Sequence, residues 1–322
     1  MQKIFITGLT GLLGTNLAED LLQQDFHVTA LVRDISKFTE LKHPNLHLIQ
    51  GNLLDDITPY LTDISVFIHI AAETNQNLLR LSDYSKLNVD ATKHLFSTCK
   101  MAGIKKFIFV SSANTMGYGS ETDLGNEKLP MKSPFTKSFY AQSKWEAEQF
   151  LLNNSNGIKT IILNPTFMLG KYDSKPSSGK IILMGWKKKI VFYPPGGKNF
   201  VAVKDVSNAI IKSIYLGKSG ERYLICNENL SYSTFFKRLN LITNQKPLMI
   251  KIPKHILIPI GYFGDLLRIL NIKTSISSVN MKILCINNYF SNEKSTNDLK
   301  MNYQSIDRSI WEAVNYFRRN KS

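Results

Sequence analysis

Apolar residues in the first half of the chain recur in two alternating rhythms. Short runs rich in β-branched and aromatic residues appear at Lys3–Thr7, His27–Val32, Leu46–Gln50, Val66–Ile70, Lys105–Ser111 and Lys159–Leu163, each the length of a buried strand. Between them lie stretches with apolar positions three and four apart. Leu13, Leu17, Leu21 and Leu22 follow the first run, and Tyr84–Ala102 and Ser138–Leu152 come later; all three predict helices. Strand and helix in alternation predict an α/β fold, a doubly wound parallel sheet with helices on both faces. Beyond Pro165 the rhythm loosens. Turn residues cluster at Lys175–Gly179 and Pro194–Gly197, which marks loops. Asn199–Val203 and Arg222–Cys226 read as strands, with a helix at Val206–Leu216 between them and a final helix at Ile306–Phe317. We expect a nucleotide-type domain over residues 1–165, with 199–216 returning to it. A smaller, mostly helical substrate lobe takes residues 166–198 and 217–322.

Composition narrows the class without deciding it. The 322 residues, 43% apolar and 20% charged, suffice for a large core and exclude a disordered chain or a disulfide miniprotein. Cys99, Cys226 and Cys285 are odd in number and match no metal spacing, so they read as free thiols in a reducing compartment. No histidine pairs with a ligand at a metal spacing, and no metal is expected. Forty basic residues against 25 acidic give +15, a balance that suits anionic partners. No basic run exceeds Lys187–Lys189, and no aromatic interleaving marks a nucleic-acid module. A strand begins at Lys3, so no signal peptide is expected. No apolar stretch has the length of a membrane span, and the expected location is the cytoplasm. Ile252–Leu270 is unusually apolar, with cations near both ends. It reads as a core helix of the C-terminal lobe interrupted by Pro253 and Pro259, with an interfacial helix or a lid as the alternative.

Three constellations carry chemistry. The first is Thr7-Gly8-Leu9-Thr10-Gly11-Leu12-Leu13-Gly14. Glycines at this spacing turn a strand sharply into a helix, whose unpaired N–H groups and positive dipole suit a pyrophosphate. The second is Arg33-Asp34 at the end of the second strand, with Lys37 nearby. A cation there accommodates the 2′-phosphate of NADP, whereas an acid would bond the 2′-hydroxyl of NAD. Arg33 favours NADP, with NAD as the alternative. The third is Tyr140 and Lys144, four apart and on one helix face. A neighbouring ammonium lowers a phenol's pKa and makes it a proton donor and acceptor near neutral pH. Ser111 and Ser112 end a strand, where active sites of open α/β sheets gather.

These motifs together resemble the short-chain dehydrogenase/reductase superfamily, in its extended epimerase/dehydratase branch. TGLTGLLG, IHIAA at Ile68–Ala72, LNVDAT at Leu87–Thr92, FIFVSSANTMGYG at Phe107–Gly119, YAQSK, ILNPTFMLG at Ile162–Gly170 and FVAVKDVSNAI at Phe200–Ile210 carry the resemblance. It implies a Rossmann-type fold, with Tyr140 as proton donor, Lys144 on the nicotinamide ribose and Ser112 orienting the carbonyl. It further implies that Gly8, Thr10, Gly11, Leu12, Leu13, Gly14, Ala71, Ala72, Pro165, Thr166 and Phe167 line the cofactor, and that Asn88 supports its pocket. Asn52 and Leu53 stand where the family commonly has Asp-Leu against adenine, so a weaker contact is implied. The form Asn164-Pro165-Thr166 and the run Pro194–Val201 look more like the branch resembling dihydroflavonol reductases.

The sequence thus points to an NADP(H)-dependent oxidoreductase that reduces a ketone or aldehyde of a small organic substrate. A nucleotide-sugar epimerase or dehydratase with the same Ser-Tyr-Lys set is the alternative, and it needs cations such as Lys187, Arg222 or Arg238 for the substrate diphosphate. A non-catalytic NAD(P)-binding sensor is a third reading. A homodimer packing the helices at Tyr84–Ala102 and Ser138–Leu152 would resemble the family.

Overall fold

The computed structural model describes residues 2–75, 77–174 and 176–320. Of the turn expected at Lys175–Gly179, Lys175 lies outside these. Strand β1 (Lys3–Thr7) leads into helix α1 (Leu12–Leu22), followed by β2 (His27–Val32), β3 (Leu46–Gln50) and β4 (Ile64–His69). Helix α2 (Leu81–Ser85) runs through a π turn at Lys86–Asp90 into α3 (Ala91–Met101). Then come β5 (Lys106–Val110), α4 (Phe139–Asn153), β6 (Lys159–Pro165), β7 (Phe167–Leu169), α5 (Lys180–Gly185), β8 (Ile190–Tyr193) and β9 (Gly197–Ala202). The chain continues through α6 (Val203–Leu216), β10 (Glu221–Ile225), β11 (Glu228–Ser231), α7 (Tyr232–Ile242) and β12 (Leu248–Lys251). It ends with α8 (Lys254–Ile269), α9 (Ser278–Leu284), β13 (Asn287–Asn288), α10 (Glu293–Asp298) and α11 (Ile306–Asn320).

The main sheet has seven strands in the order β10-β6-β5-β4-β1-β2-β3, all parallel. Its two faces follow from side-chain alternation along each strand. Ile4, Ile6, Ile68, Ile108 and Ile161 face α1 and α6, packing on Leu17, Leu21, Ile210 and Ile214. Phe5, Phe67, Phe107 and Phe109 point the other way, toward Leu95, Phe96 and Leu151 of α3 and α4. The rings of Phe5, Phe67 and Phe107 stack across three adjacent strands, with centroids 5.0 and 5.3 Å apart.

The chain order reverses between β1 and β4, and in open α/β sheets this crevice at the strands' carboxyl ends is where ligands bind. The second half builds on a separate core around Phe200, Phe235, Phe236, Ile310 and Phe317. Its sheet centres on β9, which pairs with β11, β13 and β7, while β8 and β12 form a two-stranded ribbon.

Two expectations change. Of residues 199–216, only α6 returns to the first domain; β9 belongs to the second sheet, and β10, assigned to the lobe, is instead the seventh strand of the first. The apolar segment at Ile252–Leu270 is not a core helix. It forms the single helix α8 with Pro259 inside and Pro253 as its cap, and most of its large apolar side chains are exposed.

Candidate active site

The glycine turn between β1 and α1 separates two kinds of constraint. A Cβ at Gly8 would lie 2.6 Å from the Ala71 nitrogen, and one at Gly14 only 2.0 Å from the Gly8 carbonyl oxygen. Both glycines are required by the fold itself. A Cβ at Gly11 would meet nothing nearer than the Gly8 oxygen at 3.5 Å, so the protein leaves that space open. Gly11 caps α1 with extended backbone and without a side-chain hydrogen bond to the first turn. An eleven-residue helix with uncapped N–H groups beside open space, at the sheet's switch point, fits a dinucleotide pyrophosphate. Leu12 and Leu13 bury their side chains in the core, so only their backbone is available to a ligand; Thr10 is exposed beside them.

The loop after β4 forms the other wall, and a buried polar chain sets it. Thr92 Oγ1 donates to the Asn88 carbonyl at 2.8 Å and therefore accepts the proton of His69 Nε2, 3.0 Å away. His69 Nδ1 is then free to accept from Thr7 Oγ1 at 2.7 Å, and Ala71 N donates to Thr7 at 3.4 Å. Burial pushes His69 down to about 3, with the nearby Lys144 charge adding to the effect, so the ring stays neutral. Asn88, in the π turn, accepts from Glu73 N at 2.7 Å and donates to Glu73 O and Ser143 Oγ. It thereby ties the loop past Ala71 and Ala72 to α4.

Ser138 caps α4, and the spacing i, i+4, i+8 aligns Tyr140, Lys144 and Glu148. The Ser112 side chain acts on the Tyr140 phenol to lower its pKa, and the Tyr84 ring stands edge-on to the Tyr140 ring with centroids 6.4 Å apart. Burial raises Tyr140 to about 12 despite the Ser112 hydroxyl. Lys144 is 1% exposed. Its Nζ donates to the Val110 carbonyl at 2.7 Å and sits 4.0 Å from the Phe109 ring centre. Burial brings it down to about 7, opposed by the Glu148 charge. The expected downward pull of Lys144 on the Tyr140 phenol is not among the influences on it here; burial of the phenol dominates.

Glu148 is a residue that the sequence reading missed, although its spacing from Lys144 signals it. It is fully buried and accepts from Thr115 Oγ1 at 2.8 Å and Asn164 Nδ2 at 2.6 Å. Burial raises its pKa against these bonds and the pull of Arg222, whose Nη1 is 3.4 Å away. Asn164 also donates to the Ser112 carbonyl at 3.1 Å, which holds the serine in place from below. Thr166 is pinned to Asn199 at 2.6 Å, and Phe167 receives the ammonium of Lys198 over its ring at 4.2 Å. Burial lowers Lys198 to about 8.

At the far end of the crevice, Asp34 accepts from Ser36 N, Ser36 Oγ and Lys37 Nζ, the last at 2.7 Å. Lys37 holds its carboxyl down to about 2, helped by Ser36. Arg33 is exposed beside it, so the structure ties Lys37 to Asp34 and not to Arg33. Asn52 is exposed, its backbone N–H donating to Asp55 at 2.7 Å, and Leu53 packs against the core. Among the described residues no His/Cys/Asp/Glu cluster could hold a metal ion.

A glycine-cradled helix terminus and a parallel switch point thus share one end of the sheet with Ser112 after β5 and with Tyr140 and Lys144 in the first turns of α4. The family described as the NAD dependent epimerase/dehydratase family matches residues 4–226. The chain belongs to this epimerase/dehydratase family. A Synechocystis relative named "Putative dihydroflavonol 4-reductase" is 27% identical, covering 98% of this chain and 94% of its own. The sterol-4-alpha-carboxylate 3-dehydrogenase (decarboxylating) of Dictyostelium discoideum is 27% identical over 79% of this chain and 81% of its own. The crystal structure of gox2253 shares the fold with a TM-score of 0.86 at 26% identity, covering 99% of each chain. As an epimerase/dehydratase family member, the chain is an NAD(P)-dependent enzyme of the extended short-chain dehydrogenase/reductase type.

Proposed function

We propose that this epimerase/dehydratase family member is an NADP(H)-dependent reductase of a ketone or aldehyde on a small organic molecule. The observation that carries the reading is the Tyr140 phenol, on which Ser112 acts, one helical turn before a buried Lys144 whose Nζ donates to the Val110 carbonyl at the carboxyl end of β5. A bound nicotinamide supplies the hydride for the carbonyl carbon. Tyr140 holds the proton that the substrate oxygen takes up. Ser112 orients that oxygen, with its own backbone fixed by Asn164. Lys144, buried beneath the site, offers its ammonium to the nicotinamide ribose, and the charge of Glu148 favours the protonated form. The Gly8–Gly14 turn and the start of α1 receive the pyrophosphate, while Ala71, Ala72, Pro165, Thr166 and Phe167 wall the crevice.

Two further observations support the finer choices. Asp34, the group that would bond a ribose 2′-hydroxyl, is occupied by Ser36 and Lys37, which leaves Arg33 to a 2′-phosphate. Arg222 and Arg238, two of the cations a substrate diphosphate would need, are held in ion pairs with Glu148 and with Glu228 and Asp307. The relatives are named as a reductase and a dehydrogenase, which supports net redox. One observation favours the second reading, nucleotide-sugar epimerisation or dehydration: Lys198 is a half-buried cation against Phe167, where an anionic substrate group could pair with it.

NADPH absorbance followed with ketones, aldehydes and nucleotide sugars tests the proposal. Loss of NADPH with a carbonyl compound is expected, and Tyr140→Phe should cut turnover roughly a thousandfold while leaving dinucleotide binding unchanged. Arg33→Ser should erase the preference for NADPH over NADH. A converted sugar without net NADPH loss would replace the reductase by the second reading, and turnover surviving in Tyr140→Phe would sink both.

A further inference from the structure

Helix α8 is inside out. Ile256, Ile260, Phe263, Leu266, Ile269 and Leu270 are all more than 40% exposed. At 100° per residue they cover one half of the circumference, from Ile256 to the cap residue Leu270. The opposite side carries Leu257, buried, and otherwise small and polar residues, and these hold α8 to the protein. A Cβ at Gly261 would come within 2.8 Å of Ser278 Cα, and one at Gly264 within 2.4 Å of the Ile276 oxygen, so both glycines let α9 and the turn before it approach closely. Asp265 accepts from Ser278 N at 3.0 Å, and Arg268 donates inward to the Thr274 and Leu78 carbonyls. A surface helix normally does the reverse, facing its apolar stripe to the core.

An exposed apolar stripe of this length marks an interaction surface, and its charge surround selects the partner. Between residues 246 and 285 the chain has six cations (Lys246, Lys251, Lys254, Arg268, Lys273, Lys282) and one acid, the inward Asp265. Lys246, Lys251, Lys254 and Lys273 are exposed, and Lys282 donates to the Tyr262 phenol at 3.3 Å on the flank of the stripe. Two copies meeting on this face would bring like charges together, in a chain that carries +15. An anionic lipid surface offers both apolar burial and the opposite charge. The helix has 16 residues, about 24 Å in length, and among the described residues no helix is long and apolar enough to cross a membrane. It would therefore lie along the surface.

We propose that α8 docks this protein onto an anionic lipid bilayer, with its apolar stripe in the headgroup boundary and its lysines on the phosphates. The docking face adjoins the mouth of the candidate site. Arg268 bonds the Leu78 carbonyl in the loop that follows Ala72, and the charge of Arg268 reaches Tyr84, the ring against Tyr140. The proposal goes beyond the reductase reading and does not depend on it.

Co-sedimentation of the full chain with vesicles of phosphatidylcholine alone, or mixed with phosphatidylglycerol, tests this. Binding is expected to the mixed vesicles and to be weak on phosphatidylcholine. Lys254→Gln and Lys273→Gln should each weaken it about fivefold, and Ile260→Ser with Phe263→Ser roughly tenfold or more. These side chains are exposed, so melting temperature should hold in every variant. Absence of binding to the mixed vesicles would overturn the proposal, as would binding that ignores the Ile260/Phe263 pair. A stable dimer dissociated by that pair, without vesicle binding, would assign the stripe to a second copy instead.

Discussion

Gly11 and Gly14 differ in what a single methyl group would touch. At Gly14 it meets the Gly8 carbonyl oxygen at 2.0 Å, and at Gly11 only ordinary contact at 3.5 Å. Gly14→Ala should therefore destabilise the protein by about 2–3 kcal/mol, the usual cost of overpacking, as read by chemical denaturation. Gly11→Ala should leave the denaturation midpoint in place yet weaken dinucleotide binding in a fluorescence titration. Equal effects on stability would show that the space before α1 is not kept for a ligand. The spacing of the three glycines was legible in the sequence, because each lies in one local turn. Which of them serves the fold and which the ligand was not, since Ala71 and Gly8 meet only when β1 and β4 pair. The same limit applies to Lys144. Its place four residues after Tyr140 was plain, but its Nζ goes to the Val110 carbonyl because α4 packs on β5.

At the scale of elements, α6 carries a titratable group in its first turn. Asp205 is 1% exposed and accepts from Gln304 N at 3.0 Å, anchoring the approach to α11. Burial raises it to about 6 from an ordinary value of 3.8. Its folded pKa exceeds the unfolded one, so Asp205 costs stability above pH 6, and that cost fades as pH falls toward 4. Asp205→Asn keeps an oxygen for Gln304 and should raise stability at pH 8 by at most about 3 kcal/mol. The gain should shrink through pH 5; a gain independent of pH would rule out the buried charge as its cause. The strands of the main sheet were legible because isoleucine and phenylalanine alternate between two covered faces. The π turn at Lys86–Asp90 was not, since one extra residue in a turn barely disturbs a helical apolar pattern. Asn88 reaches Glu73 and Ser143 from within that turn.

For the molecule as a whole, the sequence revealed a parallel α/β sheet but assigned β9 and β10 each to the wrong sheet. β9 and β10 are both short apolar runs, and nothing local tells a run which sheet it will join. That choice rests on pairings across the chain, Glu221–Ile225 with Ile161–Pro165 and Gly197–Ser231 within the second sheet. The apolar segment at Ile252–Leu270 misled for a related reason. Hydrophobicity alone does not say which way a helix faces, and here two glycines and the single leucine Leu257 make the inward contact.

The late arrival of β10 has a consequence for how the protein is made. β6 ends at Pro165, and its outer neighbour is complete only at Ile225. At ordinary elongation rates those roughly 60 residues take about 3–12 seconds to synthesise. Throughout that interval the emerging sheet presents the bare backbone of β6, and the isoleucine face over α1 lacks α6 for most of it. Unpaired strand edges recruit other strands, so the nascent chain passes through a window in which neighbouring ribosomes and chaperones compete for the same edge. Any pause that falls between the emergence of β6 and that of β10 would lengthen this step.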